Sequence, residues 1–139
     1  MKTVKELMRK FPYSCKENDS LKFVASRMSI SSIRFIPVLD QEEKVVGTVT
    51  FDSICKVIKE NNLSDKEIKI NEIMNSSPIF LHAYDDEATA LKHMRNYNLS
   101  HIPVVDDDYH LKGMISFMMI ARRIIEIKNS MKLLKIQFS

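Results

Sequence analysis

Apolar residues along the chain follow two spacings in turn, and the whole succession occurs twice. Val4, Leu7 and Met8 precede Pro12, so one short turn of helix is expected before the proline forces extended backbone; Ile70, Ile73, Met74 and Pro78 repeat the arrangement. A brief strand is then expected at Tyr13 to Cys15 and at Ile79 to Leu81. Leu21, Val24, Ala25 and Met28 recur at helical spacing behind Asp19, whose side-chain oxygen suits an N-cap, and Asp85 stands in the same relation to Ala88, Leu91 and Met94. The runs Phe35-Ile36-Pro37-Val38-Leu39 and His101-Ile102-Pro103-Val104-Val105 are short and apolar, which predicts buried strands. Proline cannot donate to a ladder, so Pro37 and Pro103 are expected at the strand starts, facing a gap rather than a neighbour. Polar turns at Gln41 to Lys44 and Asp107 to His110 lead into second strands, Val45 to Thr50 and Leu111 to Ser116, as in hairpins. A second helix begins near Phe51 and near Phe117.

The two successions align without a gap at an offset of 66, with thirteen identities between Val4–Ile58 and Ile70–Ile124. Each copy reads as β-α-β-β-α, which makes an α+β fold of two tandem repeats. The repeats are placed at 1–61 and 70–124, with a linker at 62–69 and a helical extension at 125–139. Units this small cannot bury both faces of a sheet alone, so the copies are expected to pack sheet to sheet with pseudo-twofold symmetry. Ser64-Asp65-Lys66-Glu67 has the form of a capping box and predicts a helical start within the linker. The copies differ at their ends. Ile120, Ile124, Ile127, Met131, Leu134 and Phe138 keep a 4-3-4-3-4 spacing, which predicts a helix of about twenty residues. Its outer half has no repeat partner and is expected to serve a homodimer.

Composition narrows the class. With 45% hydrophobic and 28% charged residues, the chain has enough apolar material for a packed core and enough charge for a solvated surface. No apolar run approaches the roughly 20 residues of a membrane helix, and the N-terminus lacks a signal-like stretch, so a cytoplasmic protein without membrane insertion is expected. Cys15 and Cys55 have no metal-site or redox spacing and read as reduced thiols. The net charge of +3 is concentrated at the C-terminus, where Arg122, Arg123, Lys128, Lys132 and Lys135 face only Glu126. A basic amphipathic helix leaves nucleic acid or an anionic membrane as an alternative partner, weakened by the absence of an aromatic platform. No Gly-rich phosphate loop, HExxH or activated nucleophile occurs, so no enzyme is expected. His82, His93 and His110 lie too far apart for a metal-ligand spacing, and Asp106-Asp107-Asp108 fits a solvated turn.

The boxes Ile36-Pro37-Val38-Leu39-Asp40 and Ile102-Pro103-Val104-Val105-Asp106, each followed by Gly47-Thr48-Val49-Thr50 or Gly113-Met114-Ile115-Ser116 and preceded by Leu7-Met8 or Ile73-Met74, resemble the cystathionine-beta-synthase (CBS) domain family. The resemblance covers about Val4 to Ile124 and implies a stand-alone regulatory pair. Such a pair binds AMP, ADP, ATP or S-adenosylmethionine in clefts between the copies, with no obligatory cofactor, and modulates a partner enzyme or transporter. The residues implied are Arg34, Phe35 and Ile36 with Thr50 in copy one, and Ser100, His101 and Ile102 with Ser116 in copy two, with Tyr13 and Phe80 completing the set.

One position departs from the family pattern. The carboxylate expected six residues beyond each glycine to grip a ribose is Ser53 in copy one and Met119 in copy two. A serine accepts and donates more weakly than a carboxylate, and a methionine does neither to useful effect. Asp52 precedes Ser53 by one residue, a rotation of about 100° on a helix, and substitutes only if the turn is shifted. Copy one is therefore the expected ligand site and copy two the degenerate one. A pair retained as a dimerisation or interaction scaffold without nucleotide is the alternative.

Overall fold

The computed structural model describes residues 1–61 and 67–138, so Ser64, Asp65 and Lys66 of the expected capping box lie outside the described residues. Helix α1 (Val4–Leu7) is opened by a reciprocal pair. The Glu6 amide donates to the Thr3 hydroxyl at 3.4 Å, and the Thr3 amide donates to the Glu6 carboxylate at 3.2 Å. Strands β1 (Arg9–Lys10) and β2 (Cys15–Lys16), helix α2 (Leu21–Ile30), strands β3 (Phe35–Leu39) and β4 (Val45–Thr50) and helix α3 (Phe51–Glu60) follow. A 3-10 turn (Ile70–Glu72) stands where α1 stood. Then come β5 (Leu81–His82), α4 (Glu87–Tyr97), β6 (His101–Val105), β7 (Leu111–Ser116) and α5 (Phe117–Phe138).

Three local expectations shift. Ser20 and Asp86, not Asp19 and Asp85, cap α2 and α4 by accepting from the Phe23 and Thr89 amides. Asp19 and Asp85 instead accept from the Lys16 and His82 amides at 2.8 Å, closing the turn that precedes each helix. The short strands start later than expected, at Cys15 and Leu81, because β2 and β5 run parallel to β3 and β6 only beside Val38–Leu39 and Val104–Val105. Pro37 and Pro103 are third in their five-residue strands, not first, paired with Thr48 and Met114. The expected gap is nevertheless present: β2 and β5 join one residue beyond each proline, so no ladder on that side asks the proline for a donor.

The entry segments cross between the repeats. Strand β1 pairs antiparallel with β7, Arg9 opposite Met114, and Val4, Leu7 and Met8 pack on Leu81, Ile102, Ile115 and Ile120 of the second copy. In return Ile70, Ile73 and Met74 pack on Cys15, Val24, Ile36 and Val49 of the first, and Asn75 bridges Thr48. The only two glycines lie at these crossings. A Cβ on Gly47 would sit 2.5 Å from the Met74 Sδ and 2.9 Å from the Asn75 carbonyl oxygen, and one on Gly113 would meet Met8 and Arg9 in the same way. Close approach, not backbone conformation, requires glycine here, since neither has a positive φ.

The sheets, ordered β2-β3-β4 and β1-β7-β6-β5, meet over Leu39 and Val45 on one side and Val105 on the other, with Phe80 and Leu111 against them. Two repeat-equivalent pairs touch their own twins: Phe35 stacks on His101, and Lys44 bridges His110. A residue can contact its own equivalent only at the symmetry axis, so these pairs fix the pseudo-twofold. Helix α5 is anchored to α4 by Arg123, whose guanidinium donates to both Glu87 carboxylate oxygens at 3.1 and 3.3 Å. From Ile125 to Gln137 every residue is exposed. No helix among the described residues is long and apolar enough to cross a membrane.

Candidate functional site

The pseudo-twofold brings the starts of the two proline-box strands face to face. The Phe51 amide donates to the Arg34 carbonyl at 2.9 Å, tying the start of α3 to the start of β3, and Phe35 lies opposite Thr50. The second copy repeats this with Phe117 and Ser100 at 2.8 Å and with His101 opposite Ser116. Arg34, Phe35 and Thr50 therefore gather on one side of the axis, and Ser100, His101 and Ser116 on the other.

The Phe35 and His101 rings join the two groups, with centroids 5.4 Å apart and planes 12° from parallel. Burial pushes the His101 imidazole below its ordinary pKa. The ring is therefore neutral near pH 7, and Ser100 Oγ lies 3.0 Å from its Nδ1. The unfolded chain takes up this proton first as pH falls, so the stability tied to His101 is complete above the ordinary imidazole range and declines below about pH 6.5. His101→Phe is expected to keep the stack and flatten that acid-side loss in melts recorded from pH 8 to 5; an unchanged slope relative to wild type would refute the assignment.

Arg34 lies with its guanidinium 5.5 Å from the Phe51 ring centroid, at a cavity of about 180 Å³ that Met28 and Ser32 also line. The equivalent cavity in copy two is larger, about 500 Å³, with Ser100 and Phe117 in its wall. Arg95 lines it too, at the position equivalent to Ser29. Sequence reasoning missed this residue, which restores to copy two the positive charge that Ser100 lacks. The signal for it was the repeat alignment carried one helical turn back from the box.

At the start of α3, Thr50 and Ser53 are engaged with each other. The Thr50 hydroxyl accepts from the Ser53 amide at 3.1 Å, and the Ser53 hydroxyl donates to the Thr50 carbonyl at 2.8 Å. Ser53 has thus committed its one hydrogen to the backbone. Asp52 is exposed in the same first turn, and among the described residues no hydrogen bond or ion pair engages it. In copy two, Ser116 accepts from the Met119 amide at 3.3 Å. Ile36 and Ile102 are buried in the two cores, so only their backbones can reach a ligand. Tyr13 is half-exposed with the Arg9 guanidinium 5.6 Å from its ring centroid. Phe80 packs on Tyr109, centroids 5.6 Å apart, in the cluster that joins the sheets near the hairpin turns.

Asp106, Asp108 and His110 bring three potential ligand atoms within 4.8 Å of one another. Turn geometry accounts for the group. The Asp106 carboxylate accepts from the Asp108 and His110 amides at 3.0 and 2.9 Å, which hold its pKa down. Asp40 accepts from the Glu42 and Lys44 amides in the same way.

Two interlocked repeats, with equivalent polar residues converging on a shared axis, define a pseudo-symmetric module with paired clefts. The family model for the CBS domain matches residues 4–60 and 70–126, and the chain belongs to that family. Among relatives, a homoserine O-acetyltransferase of Methanococcus vannielii is 38% identical over 116 residues, covering 83% of this chain and 23% of its own length. The magnesium transporter MgtE of Enterococcus faecalis is 28% identical over 85 residues, covering 61% of this chain and 17% of its own. The chain thus spans less than a quarter of either relative. A CBS domain pair solved in complex with 5′-methylthioadenosine and S-adenosyl-L-methionine is 29% identical, with a TM-score of 0.79, covering 88% of this chain and 95% of that one. CBS domains therefore occur within enzymes and transporters of much greater length.

Proposed function

We propose that the protein is a cytoplasmic, non-catalytic regulator that senses an adenosyl ligand between its repeats and modulates a partner enzyme or transporter. The observation that carries this is the mouth at the axis, where Phe35 stacks on His101 and lies opposite Thr50, with Arg34 next to it in the chain and Asp52 unengaged in the first turn of α3. The similar CBS pair, solved with adenosyl compounds, supports the ligand class. In this reading Arg34 meets phosphate, the Phe35 side of the stack meets the base, and Asp52 takes the ribose in place of Ser53. Half-exposed Tyr13 is a further contact of copy one in this reading. Copy two, with Met119 and no carboxylate in that turn, is the weaker site. Melting curves with AMP, ADP, ATP and S-adenosylmethionine test the reading. A scaffold without nucleotide is the second reading, favoured by the internal bond of Ser53.

The protein works as a homodimer through α5. Ile120 and Ile124 turn their stripe toward the protein's own core, while Ile127, Met131 and Leu134 continue it where no body remains to cover them. Deleting residues 126–139 is expected to halve the mass in sedimentation while leaving the fold intact, because residues 126–137 are all exposed. An unchanged mass would count against the helix as interface.

A further inference from the structure

The crossed entry segment creates a second concavity, away from the Phe35–His101 mouth. Where the stretch from Lys5 to Phe11 runs over the ends of β5 and β6, a cavity of about 460 Å³ opens, within the range of small-molecule sites. Met8, Ala83 and the fully buried Val105 give it an apolar floor. Phe11 and Tyr84 also line it, yet they are 92% and 70% exposed. Phe11 moreover holds φ at 54°, a left-handed conformation that is costly for a bulky side chain. A phenylalanine that is both strained and exposed contributes nothing to the core, so its placement calls for another cause.

The repeat supplies an internal control. The positions equivalent to Lys5, Lys10, Phe11 and Tyr84 are Asn71, Ser76, Ser77 and Asn18. There the Asn71 side-chain Nδ2 donates to the Asn18 side-chain oxygen at 3.4 Å. The same fold is thus built without this lining, which belongs to one copy alone. Charge gives the lining a sign. Asp106 is engaged by its turn amides and lies 3.8 Å from the Lys112 Nζ, while Asp107 accepts from the Tyr84 hydroxyl at 3.3 Å. Among the described residues no carboxylate pairs with Lys5 or Lys10, and three lysines against two aspartates leave the lining net positive.

We propose that this cavity binds a small amphipathic anion: an aromatic body carrying a carboxylate, sulfonate or phosphate. Phe11 and Tyr84 lie against the ring, the Met8 thioether adapts to its outline, and Lys5 and Lys10 take the anionic group.

The test uses 8-anilinonaphthalene-1-sulfonate, read by its emission, on the full chain. Saturable binding at one site is expected. The double variant Phe11→Ser/Tyr84→Asn, carrying the residues of the other copy, should weaken it about tenfold or more. Lys5→Asn/Lys10→Ser should weaken it and remove its salt dependence. The uncharged analogue N-phenyl-1-naphthylamine should bind more weakly than the sulfonate. Unchanged affinity in either double variant, or equal binding of the neutral analogue, would overturn the proposal. Amide chemical shifts of the wild-type protein give a second reading that does not depend on the variants folding: perturbation centred on Ala83 and Lys112 supports the site, and perturbation confined to α5 refutes it. Adenosyl ligands should stabilise both variants as they do the wild type, so failure here and failure of sensing at the axis are separable.

Discussion

An adenosyl ligand at a hundred times its dissociation constant is expected to stabilise the protein by about 2.7 kcal/mol, raising the melting temperature by about 8 °C or more. The pattern among ligands carries more information than the size of the shift. Arg34 holds a permanent positive charge at the mouth and, in this structure, rests over Phe51 rather than on a carboxylate. Among the described residues no ion pair holds it, so swinging onto phosphate breaks none there. Arg34→Ala should therefore cut the response to AMP, ADP and ATP sharply while sparing S-adenosylmethionine, whose sulfonium is itself positive. Asp52→Asn should weaken every ligand of the class, since all of them present ribose hydroxyls. Melting curves that stay flat across the whole panel at millimolar ligand would refute sensing and leave the scaffold reading in its place.

Replacing Gly47 by alanine is expected to be the most damaging single-methyl change in the chain. The added carbon meets the Met74 thioether at 2.5 Å and the Asn75 carbonyl oxygen at 2.9 Å. The thioether can rotate away, but the carbonyl belongs to a bridge whose two hydrogen bonds join Thr48 and Asn75 at 3.0 and 2.9 Å. Overpacking of this kind costs about 1–3 kcal/mol, roughly 4–10 °C of melting temperature for a domain of this size. Gly113→Ala should behave alike, against Met8 and the Arg9 carbonyl. Adding Met74→Ala to Gly47→Ala should recover only part of the loss. Full recovery would show that the side chain alone sets the limit, and no loss from Gly47→Ala would show that the crossing is looser than these distances imply.

Much of the architecture was legible because it is written twice. An ungapped offset of 66 specifies that Phe35 and His101 are equivalent, and from there the long strands, the hairpins and the four longer helices followed from apolar spacing. What pattern could not supply was partnership. Val4, Leu7 and Met8 carry the same spacing whichever sheet they join, so the crossing was invisible, although both glycines sit where it happens. The caps slipped by one residue for a related reason. Asp19 and Ser20 are both competent acceptors, and only the turn that binds the Lys16 amide decides between them. That Arg34, Phe35 and Thr50 come together at a hairpin base, and Ser100, His101 and Ser116 likewise, was legible from position in the repeat. Their engagements were not: the bond from Ser53 to the Thr50 carbonyl and the approach of Arg95 to the second cavity depend on rotamers and on neighbours distant in sequence.

The crossing also gives the second copy a role that does not depend on ligand chemistry. On the proposed reading Met119 leaves the second repeat without a carboxylate for ribose, yet that repeat still donates Ile70, Ile73 and Met74 to the core of the first. Its loss would unmake the other site. Each half is therefore a structural cofactor of its twin, and a substitution that erases recognition in one is expected to spare the other as long as its buried contribution remains.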